Sequence, residues 1–287
     1  MRIHIGQGAT VGAVTVFPVW HDRPTGATRA YTTRSTHLGI SEAAAGPTVG
    51  ALSVTNRGPK PVLVLEGQLF EGGWQHRMAL HSSLLAAGGT ADLEVACVEQ
   101  HRWAGALAQR TRGRRAGSRI RAGFDVGGQH EVWRRIAATA DNTTGSLADR
   151  LSDRALDEAL DHLVRRAPAL SGQCGVLIGV GGQPLALEVF DHPRTLREQY
   201  RPLVRAALLD GLGAPPVGTP GRRARRFGAR IELALRHLIP QTRAVDPSLG
   251  ERSAARSSDV DAVALRTGAG PVHLRSTNRN HPLLAAA

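Results

Sequence analysis

Residues 61–103 contain a series of short apolar segments, and several of them end in glycine together with a carboxylate, an amide, an arginine or a tryptophan. The run VLVL (62–65) leads into Glu-Gly, the segment LEVACVE (93–99) leads into Gln-His-Arg-Trp, and Gly72-Gly73 lies between them. Short apolar segments of this kind predict β-strands. A strand needs no polar cluster in order to fold, whereas a polar ligand held at the rim of a sheet would need one. The pattern therefore favours a sheet with a ligand site at the ends of its strands.

Predicted strands dominate the first half of the chain, and helices become frequent in the second. Asn56-Arg57-Gly58-Pro59 predicts a turn, and Gly88-Gly89 breaks residues 77–87, which favours a strand there. Apolar residues at helical spacing predict a helix over residues 147–166, N-capped by Ser146. Further strands are expected in residues 1–20, 50–56, 62–67 and 93–99, hairpins at 174–191 and 260–277, and helices near 196–208 and 227–239. The predicted class is α+β, with a β-rich N-terminal half, antiparallel pairings and helices mainly in the second half.

The domain organisation follows from the same pattern. A chain of 287 residues can bury the core of one large domain or two small ones. We expect residues 1–212 to form a single α+β domain. Residues 213–287 are expected to form a linker, a helix and a terminal hairpin that pack on the same unit, with 213–227 as the linker or loop.

Composition excludes several classes of protein. The N-terminal segment lacks the continuous apolar stretch of a signal peptide, and no segment approaches the about 20 apolar residues of a membrane span. Two cysteines, Cys97 and Cys174, make no disulfide framework. We therefore expect a cytoplasmic protein without membrane association.

The formal charge of +12 resides almost entirely in arginine, because Lys60 is the single lysine. This skew, together with abundant alanine and glycine, is typical of a GC-rich coding bias. Six arginines fall in residues 110–121 without an acid, and four more fall in residues 222–226. We expect exposed, mobile loops; the alternatives are a rim for an anionic substrate and a nucleic-acid surface. The sequence disfavours nucleic acid as the partner, since interleaved aromatic residues and a binding motif are both missing.

Two carboxylates are candidate catalytic residues. Glu66 and Glu99 each end an apolar segment, and if their strands are neighbours the two groups could share acid and base roles. Alternation along 93–99 places Glu99 on the face of Leu93, so a partly buried carboxylate must be paired or functional. The alternative is that each carboxylate pairs with a nearby arginine such as Arg77 or Arg102.

The remaining candidates are residue types that bind polar ligands. Glycine lets the backbone approach an anion, tryptophan stacks on a base or sugar, and amide and guanidinium groups bind hydroxyls and phosphates. The alternatives are a plain hairpin turn at the glycine pair and core closure by the tryptophans. The predicted ligand-binding residues are Gly72, Gly73, Gln75, Arg77, Arg102, Trp103, Gln129 and Trp133.

Cysteine and histidine provide weaker candidates. Cys97 lies within a strand on an apolar face, where a small buried cysteine is common, so a nucleophilic role is disfavoured. The twelve histidines show no zinc-binding spacing, and we predict no metal site. The sequence identifies no cofactor.

The segments VTVFPV (14–19), VLVLEGQLFEGGWQHR (62–77), CVEQHRW (97–103) and GVLIGVGGQPLALEVFD (175–191) resemble a prokaryotic and fungal domain of unknown function. This family is named for its association with ADP-ribosylglycohydrolase and rhodanese–phosphatase proteins. The resemblance covers about residues 10–210 and implies a link to ADP-ribose or NAD-derived metabolites and partners from those pathways. The chain departs from the family pattern at His76, where asparagine is expected.

Three functions remain open at this point. The first is binding or hydrolysis of a small anionic metabolite such as ADP-ribose or an NAD-derived nucleotide. The second is a non-enzymatic regulatory or accessory module. The third is a nucleic-acid-associated protein that uses its arginine-rich loops. The residues do not decide whether the chain is an enzyme.

Overall fold

Antiparallel ladders connect the strands throughout the computed structural model, which describes residues 1–23, 28–42, 46, 48–139, 144–240, 250–268 and 270–285. In these ranges the chain forms seventeen strands and five α-helices. Eleven strands precede the first helix, which begins at Ser118. The predicted α+β class, with its β-rich N-terminal half and later helices, is confirmed.

The elements are numbered in chain order. The strands are β1 (Ile3–Ile5), β2 (Ala9–Val11), β3 (Val14–His21), β4 (Leu38–Ser41), β5 (Ala51–Asn56), β6 (Val62–Val64), β7 (Leu69–Gly72), β8 (Arg77–Ala79), β9 (Ser83–Leu85), β10 (Thr90–Cys97), β11 (Ala108–Arg110), β12 (Gly175–Val180), β13 (Gln183–Phe190), β14 (Ile239–Pro240), β15 (Glu251–Arg256), β16 (Val260–Thr267) and β17 (Gly270–Asn278). The helices are α1 (Ser118–Ala137), α2 (Leu147–Arg150), α3 (Arg154–Arg166), α4 (Pro193–Asp210) and α5 (Gly221–Ala234).

The chain divides into two compact units. The first comprises Met1–Arg29, Arg154–Val245 and Glu251–Ala287, and the second comprises Ala30–Asp153 and Asp246–Gly250. The predicted single domain over residues 1–212 stays a prediction.

The first unit is built on a nine-stranded sheet with the order β1-β3-β12-β13-β17-β16-β15-β14, and β2 also pairs with β3. Helix α5 packs on it because Ala224, Phe227 and Ile231 recur at helical spacing and join the sheet's buried cluster. The expectation of a loop over 213–227 is therefore wrong for its last part, since α5 begins at Gly221.

The helix expected over residues 147–166 is divided in the structure. Ser146 does cap α2, accepting a hydrogen bond from the Asp149 N–H at 3.5 Å. Helix α2 ends at Arg150, and α3 starts only at Arg154. The Ser152 hydroxyl donates to the Ala148 carbonyl at 2.9 Å, a side-chain bond that competes with continued helix.

The second unit contains a closed six-stranded barrel with the order β10-β5-β4-β11-β7-β8. Strand β10 shows how its inner face is made: Ala91, Leu93 and Val95 are buried and alternate with exposed Asp92 and Glu94. Successive side chains on a strand point to opposite faces, so the buried residues of β10 line the inside of the barrel. This alternation places the candidate residues at the end of β10.

Asn56 fixes the turn that leaves the barrel. Its side chain is fully buried, and its Nδ2 donates to the carbonyls of Lys60, Leu85 and Ala86 at 2.9, 3.2 and 3.0 Å. Its Oδ1 accepts the Gly58 N–H at 2.9 Å. One amide thus binds backbone carbonyls both before β6 and at the end of β9.

We predict that Asn56→Asp lowers the free energy of unfolding by about 3 kcal/mol, because it removes the donors and buries a charge among carbonyl oxygens. Urea denaturation at neutral pH measures the change. A loss below about 0.5 kcal/mol would contradict the role assigned to this amide.

Candidate functional site

A polar layer lies at one end of the barrel's inner face. Cys97 continues the buried series of β10, and its cross-strand partner on β8 is Arg77. On β11, Gln109 lies opposite Gly72 of β7. Cross-strand partners point to the same face, so these strands direct an arginine, a thiol and an amide toward one end of the barrel interior.

Arg77 is the charged residue at the centre of this layer. Its side chain is 0% exposed, and its Nη1 donates to Gln75 Oε1 at 2.9 Å. Nε and Nη2 are buried and have no hydrogen-bond partner within the described residues. Burial lowers the pKa of Arg77, while the nearby Cys97 and Glu42 act in the opposite direction. A buried guanidinium with unused donors is costly, and such a group is typical of a ligand site.

Two acceptors in the same layer are also unsatisfied. Glu42 follows β4, and its Oε1 accepts from Gln109 Nε2 at 3.1 Å and from the Trp74 N–H at 3.4 Å. Its second oxygen, Oε2, and the Gln109 Oε1 are buried without a partner in the described part of the chain. Gly73 permits this packing, because a Cβ there would lie 2.4 Å from Gln109 Nε2.

Glu99 and Arg102 form a clamp beside the layer. Arg102 donates to Glu99 Oε2 from Nη2 at 2.6 Å and from Nε at 2.8 Å, and its Nη1 donates to the Gly73 carbonyl at 2.9 Å. Burial acts to raise the pKa of Glu99, but the bonds from Arg102 and the His76 N–H outweigh it and lower the pKa. Glu99 is therefore held ionised. This agrees with the alternative interpretation of the sequence, in which the carboxylate pairs with a nearby arginine.

His76 is held neutral between the glycine pair and the clamp. Its Nδ1 accepts the Gly72 N–H at 3.0 Å, which assigns the ring proton to Nε2. Burial is the main cause that lowers its pKa, and the neighbouring Glu99 only partly offsets this effect. The ring thus offers one acceptor and one donor, as an asparagine amide would. The N–H of Gly73 also has a partner, the Ala108 carbonyl at 3.2 Å, so neither glycine offers a free donor in this conformation.

Gln129 braces the end of β10. Its Oε1 accepts the Cys97 N–H and its Nε2 donates to the Cys97 carbonyl, both at 2.7 Å. The non-helical Gly127 and Gly128, the latter with φ of 61°, interrupt α1 just before Gln129. Residues 129–133 therefore belong to the second part of a long, kinked helix.

Aromatic rings lie over the outer side of the layer. Trp103 is 44% exposed and stands edge-on to Trp74 with 5.5 Å between ring centroids. The Arg77 guanidinium carbon lies 5.5 Å from the centre of the Trp103 ring. Trp133 lies next to Cys97. The Cys97 thiol donates a hydrogen bond to the Glu99 carbonyl at 2.8 Å.

Glu66 belongs to a different set of contacts. It follows β6, which pairs with β9 and not with a barrel strand. Its carboxylate pairs with Arg121 at 3.4 Å, and its carbonyl accepts from Arg115 Nη2 at 2.7 Å. Shared acid and base roles for Glu66 and Glu99 required their strands to be neighbours, and they are not. Each carboxylate binds a different arginine instead.

The arginine segment 110–121 is not an exposed loop. Arg115 and Arg121 are only 2% and 9% exposed, and α1 begins inside the segment. Arg114 donates to both carboxylate oxygens of Glu71, at 3.0 and 2.5 Å. The acids that pair with these arginines come from a distant part of the sequence. The absence of acids within the segment was therefore a poor guide to its exposure.

The structure thus assembles most of the predicted set around one layer. The members that meet there are Gly72, Gly73, Gln75, Arg77, Glu99, Arg102, Trp103, Gln129 and Trp133. Two further members of the layer, Glu42 and Gln109, are not among the predicted site residues. The signal for Glu42 was its two-residue spacing from buried Ile40, which places both on one face of an extended strand. Nothing in the local sequence marks Gln109.

No group of three or more histidine, cysteine, aspartate and glutamate side chains able to hold a metal ion occurs in the described ranges. Over the same residues, no helix has the length and apolar character needed to cross a membrane.

We predict that both cysteines are inert in the folded protein. Burial raises the pKa of the Cys97 thiol, and it raises that of Cys174 to about 11. Iodoacetamide at about pH 8 should leave both thiols unmodified in native protein and should modify both in urea, as read by mass spectrometry. Rapid native alkylation of Cys97 would restore it as a candidate nucleophile.

We predict that His76 makes stability fall in acid. Its folded pKa lies below the ordinary value of 6.5, so the unfolded state takes up the proton first as the pH drops. Its contribution is complete above that ordinary value and is lost progressively below it.

Urea denaturation at about pH 7.5 and about pH 5.5 tests this dependence. His76→Asn keeps an acceptor for the Gly72 N–H and should lose less stability between the two pH values than the wild type. His162→Asn, at an exposed position of α3, is the control and should behave as the wild type does. Equal losses in all three proteins would refute the assignment.

No match to the chain was found among curated proteins or among solved structures. The model of one family does match, over residues 2–276, which is longer than the recognisable resemblance over about residues 10–210. The barrel, its polar layer and most of the nine-stranded sheet all lie within the matched residues, and the chain therefore belongs to the family of the ARPP-1 domain, the ARG and Rhodanese-Phosphatase-superfamily-associated Protein domain.

Proposed function

We propose that this protein binds a polar anionic metabolite at the end of its barrel, through Arg77. The observation that carries the proposal is the fully buried guanidinium whose Nε and Nη2 have no partner within the described residues. Two parallel N–H groups of arginine match the oxygens of a phosphate or carboxylate. Trp103, half-exposed beside the guanidinium, supplies a surface on which a base or sugar can stack.

The other charged donor and the glycine N–H groups near the layer are already bound, which supports Arg77 as the group that binds the anion. All three nitrogens of Arg102 bind Glu99 or backbone carbonyls, and the N–H groups of Gly72 and Gly73 are bound internally. An incoming anion would therefore be bound by Arg77, whose Nε and Nη2 have no partner within the described residues, and it would offset the cost of burying this guanidinium.

The family's name supports the choice of ligand class. It records an association with ADP-ribosylglycohydrolase and with rhodanese–phosphatase-superfamily proteins. ADP-ribose and NAD-derived nucleotides carry a pyrophosphate for Arg77 and a base for a tryptophan. We propose this class as the metabolite, and we propose proteins of those pathways as partners.

Binding is better supported than hydrolysis. Glu99 is fixed by Arg102 with a lowered pKa, which makes it a poor proton donor and a weak base. Glu66 binds Arg121 away from the layer. A module that senses a metabolite for a partner enzyme requires no further catalytic group.

We predict that Arg77→Met abolishes ligand binding and stabilises the free protein. Methionine fills a similar space without a buried charge, so the free energy of unfolding should rise by about 1–3 kcal/mol. Affinity for the bound member of a panel of phosphate, pyrophosphate, ADP-ribose, NAD and AMP should fall by a factor of roughly 100. Calorimetric titration and urea denaturation measure the two effects.

Arg110→Met is the matched control, because Arg110 is an exposed arginine on β11 of the same barrel. It should leave both quantities unchanged. If Arg77→Met retains wild-type affinity for every bound member of the panel, or if the wild type binds none of them, the proposed function is wrong. Product analysis by chromatography with the same panel detects hydrolysis, which would favour an enzyme over a binding module.

A further inference from the structure

We infer that Glu42 and Gln109 make the Arg77 site selective for a ligand that carries hydroxyl groups next to its anionic group, such as a ribose phosphate. This inference rests on the proposed function and deepens it. It concerns two residues that no motif singled out and whose role is distinct from binding the anion.

The first step is the inventory of unused atoms. Glu42 and Gln109 are 5% and 7% exposed, and Glu42 Oε2 and Gln109 Oε1 are buried without a partner in the described residues. Arg77 adds two unused donors to the same layer, and the indole Nε1 of Trp133, next to Cys97, is a third. An anion alone satisfies the donors of Arg77, but it leaves both acceptors unsatisfied. The layer therefore needs an occupant that accepts at one side and donates at the other.

The second step is the orientation of the Gln109 amide. Its Nε2 donates to Glu42 Oε1 at 3.1 Å, and the same oxygen accepts the Trp74 N–H at 3.4 Å. Turning the amide over would place two oxygens against each other, so Oε1 is the atom left open. Gly73 fixes this position further, since a side chain there would collide with Gln109.

The third step is the chemistry of the occupant. Adjacent hydroxyls on a ribose can donate to a carboxylate oxygen and to an amide oxygen, while a phosphate on the same sugar accepts from Arg77. An α-amino acid offers a different match, because its ammonium group donates and its carboxylate accepts. Trp103 and Trp74, which form an aromatic pair beside the layer, favour the sugar, since a ring face packs on tryptophan and a small amino acid does not need one.

The experiment compares ligands that differ by one hydroxyl. Calorimetric titration of the wild-type protein with ribose 5-phosphate, 2-deoxyribose 5-phosphate and inorganic phosphate should show ribose 5-phosphate bound most tightly. The loss of one recognised hydroxyl should weaken binding by about tenfold or more, because the acceptor is then left buried and unpaired. Equal affinity for the two sugars, or no binding of ribose 5-phosphate while ADP-ribose or phosphate binds, overturns the inference.

Glu42→Gln tests the residue directly. The substitution keeps one oxygen for Gln109 and the Trp74 N–H and replaces the open acceptor with an N–H₂ group. The preference for ribose over 2-deoxyribose should collapse to about twofold or less, whereas inorganic phosphate should bind at least as tightly as it does to the wild type, because the substitution removes a negative charge near Arg77. Glu94→Gln, the same change at an exposed position on β10, should keep the wild-type preference.

The outcomes separate this inference from the proposed function. Loss of all anion binding in Arg77→Met together with an unchanged sugar preference in Glu42→Gln refutes the hydroxyl site alone. Tighter binding of L-alanine than of ribose 5-phosphate assigns the acceptors to an ammonium group and also refutes it. No binding of any anion by the wild type refutes both, and water then fills the layer. If Glu42→Gln fails to fold, the wild-type comparison of the two sugars decides the question.

Discussion

Burial of Arg77 inside a closed barrel is the constraint on which the rest of the site depends. Closure of six strands leaves no edge, so every second side chain of β8 must point into the interior whether it is apolar or not. Arg77 points there opposite Cys97, and Gln75, Trp103 and Gln129 are arranged around that pair. The barrel thus keeps the Arg77 guanidinium buried, whereas the same side chain on a flexible loop would be exposed to water.

Arg77 differs from several other arginines near the barrel in the partner that its guanidinium binds. Three of the carboxylates near the barrel are each paired with an arginine: Glu71 with Arg114, Glu66 with Arg121 and Glu99 with Arg102. Arg77 receives only an amide oxygen from Gln75, which leaves its charge without a hydrogen-bonded carboxylate among the described residues. In a protein with 36 basic and 24 acidic residues, this buried arginine without a hydrogen-bonded carboxylate is the feature on which the proposed anion site rests.

The sequence predicted the features that follow from local residue patterns. It did not predict the contacts that form only when the barrel closes. Alternation along residues 93–99 located β10, and the polar ends of the apolar segments located most of the layer. Composition failed at 110–121, because the partners of Arg114 and Arg121 lie some 40 to 55 positions away in sequence. It also failed for Gln109, whose position against Glu42 exists only once β11 pairs with both β4 and β7. Non-local pairing carries that information, and no single segment contains it.

The unsatisfied atoms of the layer argue for function more strongly than any motif. Native structures pair nearly all buried polar groups, yet among the described residues this one layer contains five open atoms, both donors and acceptors, on Arg77, Glu42, Gln109 and Trp133. For folding alone, direct pairing of these donors with these acceptors would be the more stable arrangement. The Gln109 amide and the Trp74 N–H instead hold the carboxylate from one side, and Gln75 holds the guanidinium from the other. Keeping the two charges apart costs stability, and a ligand that bridges them would restore it.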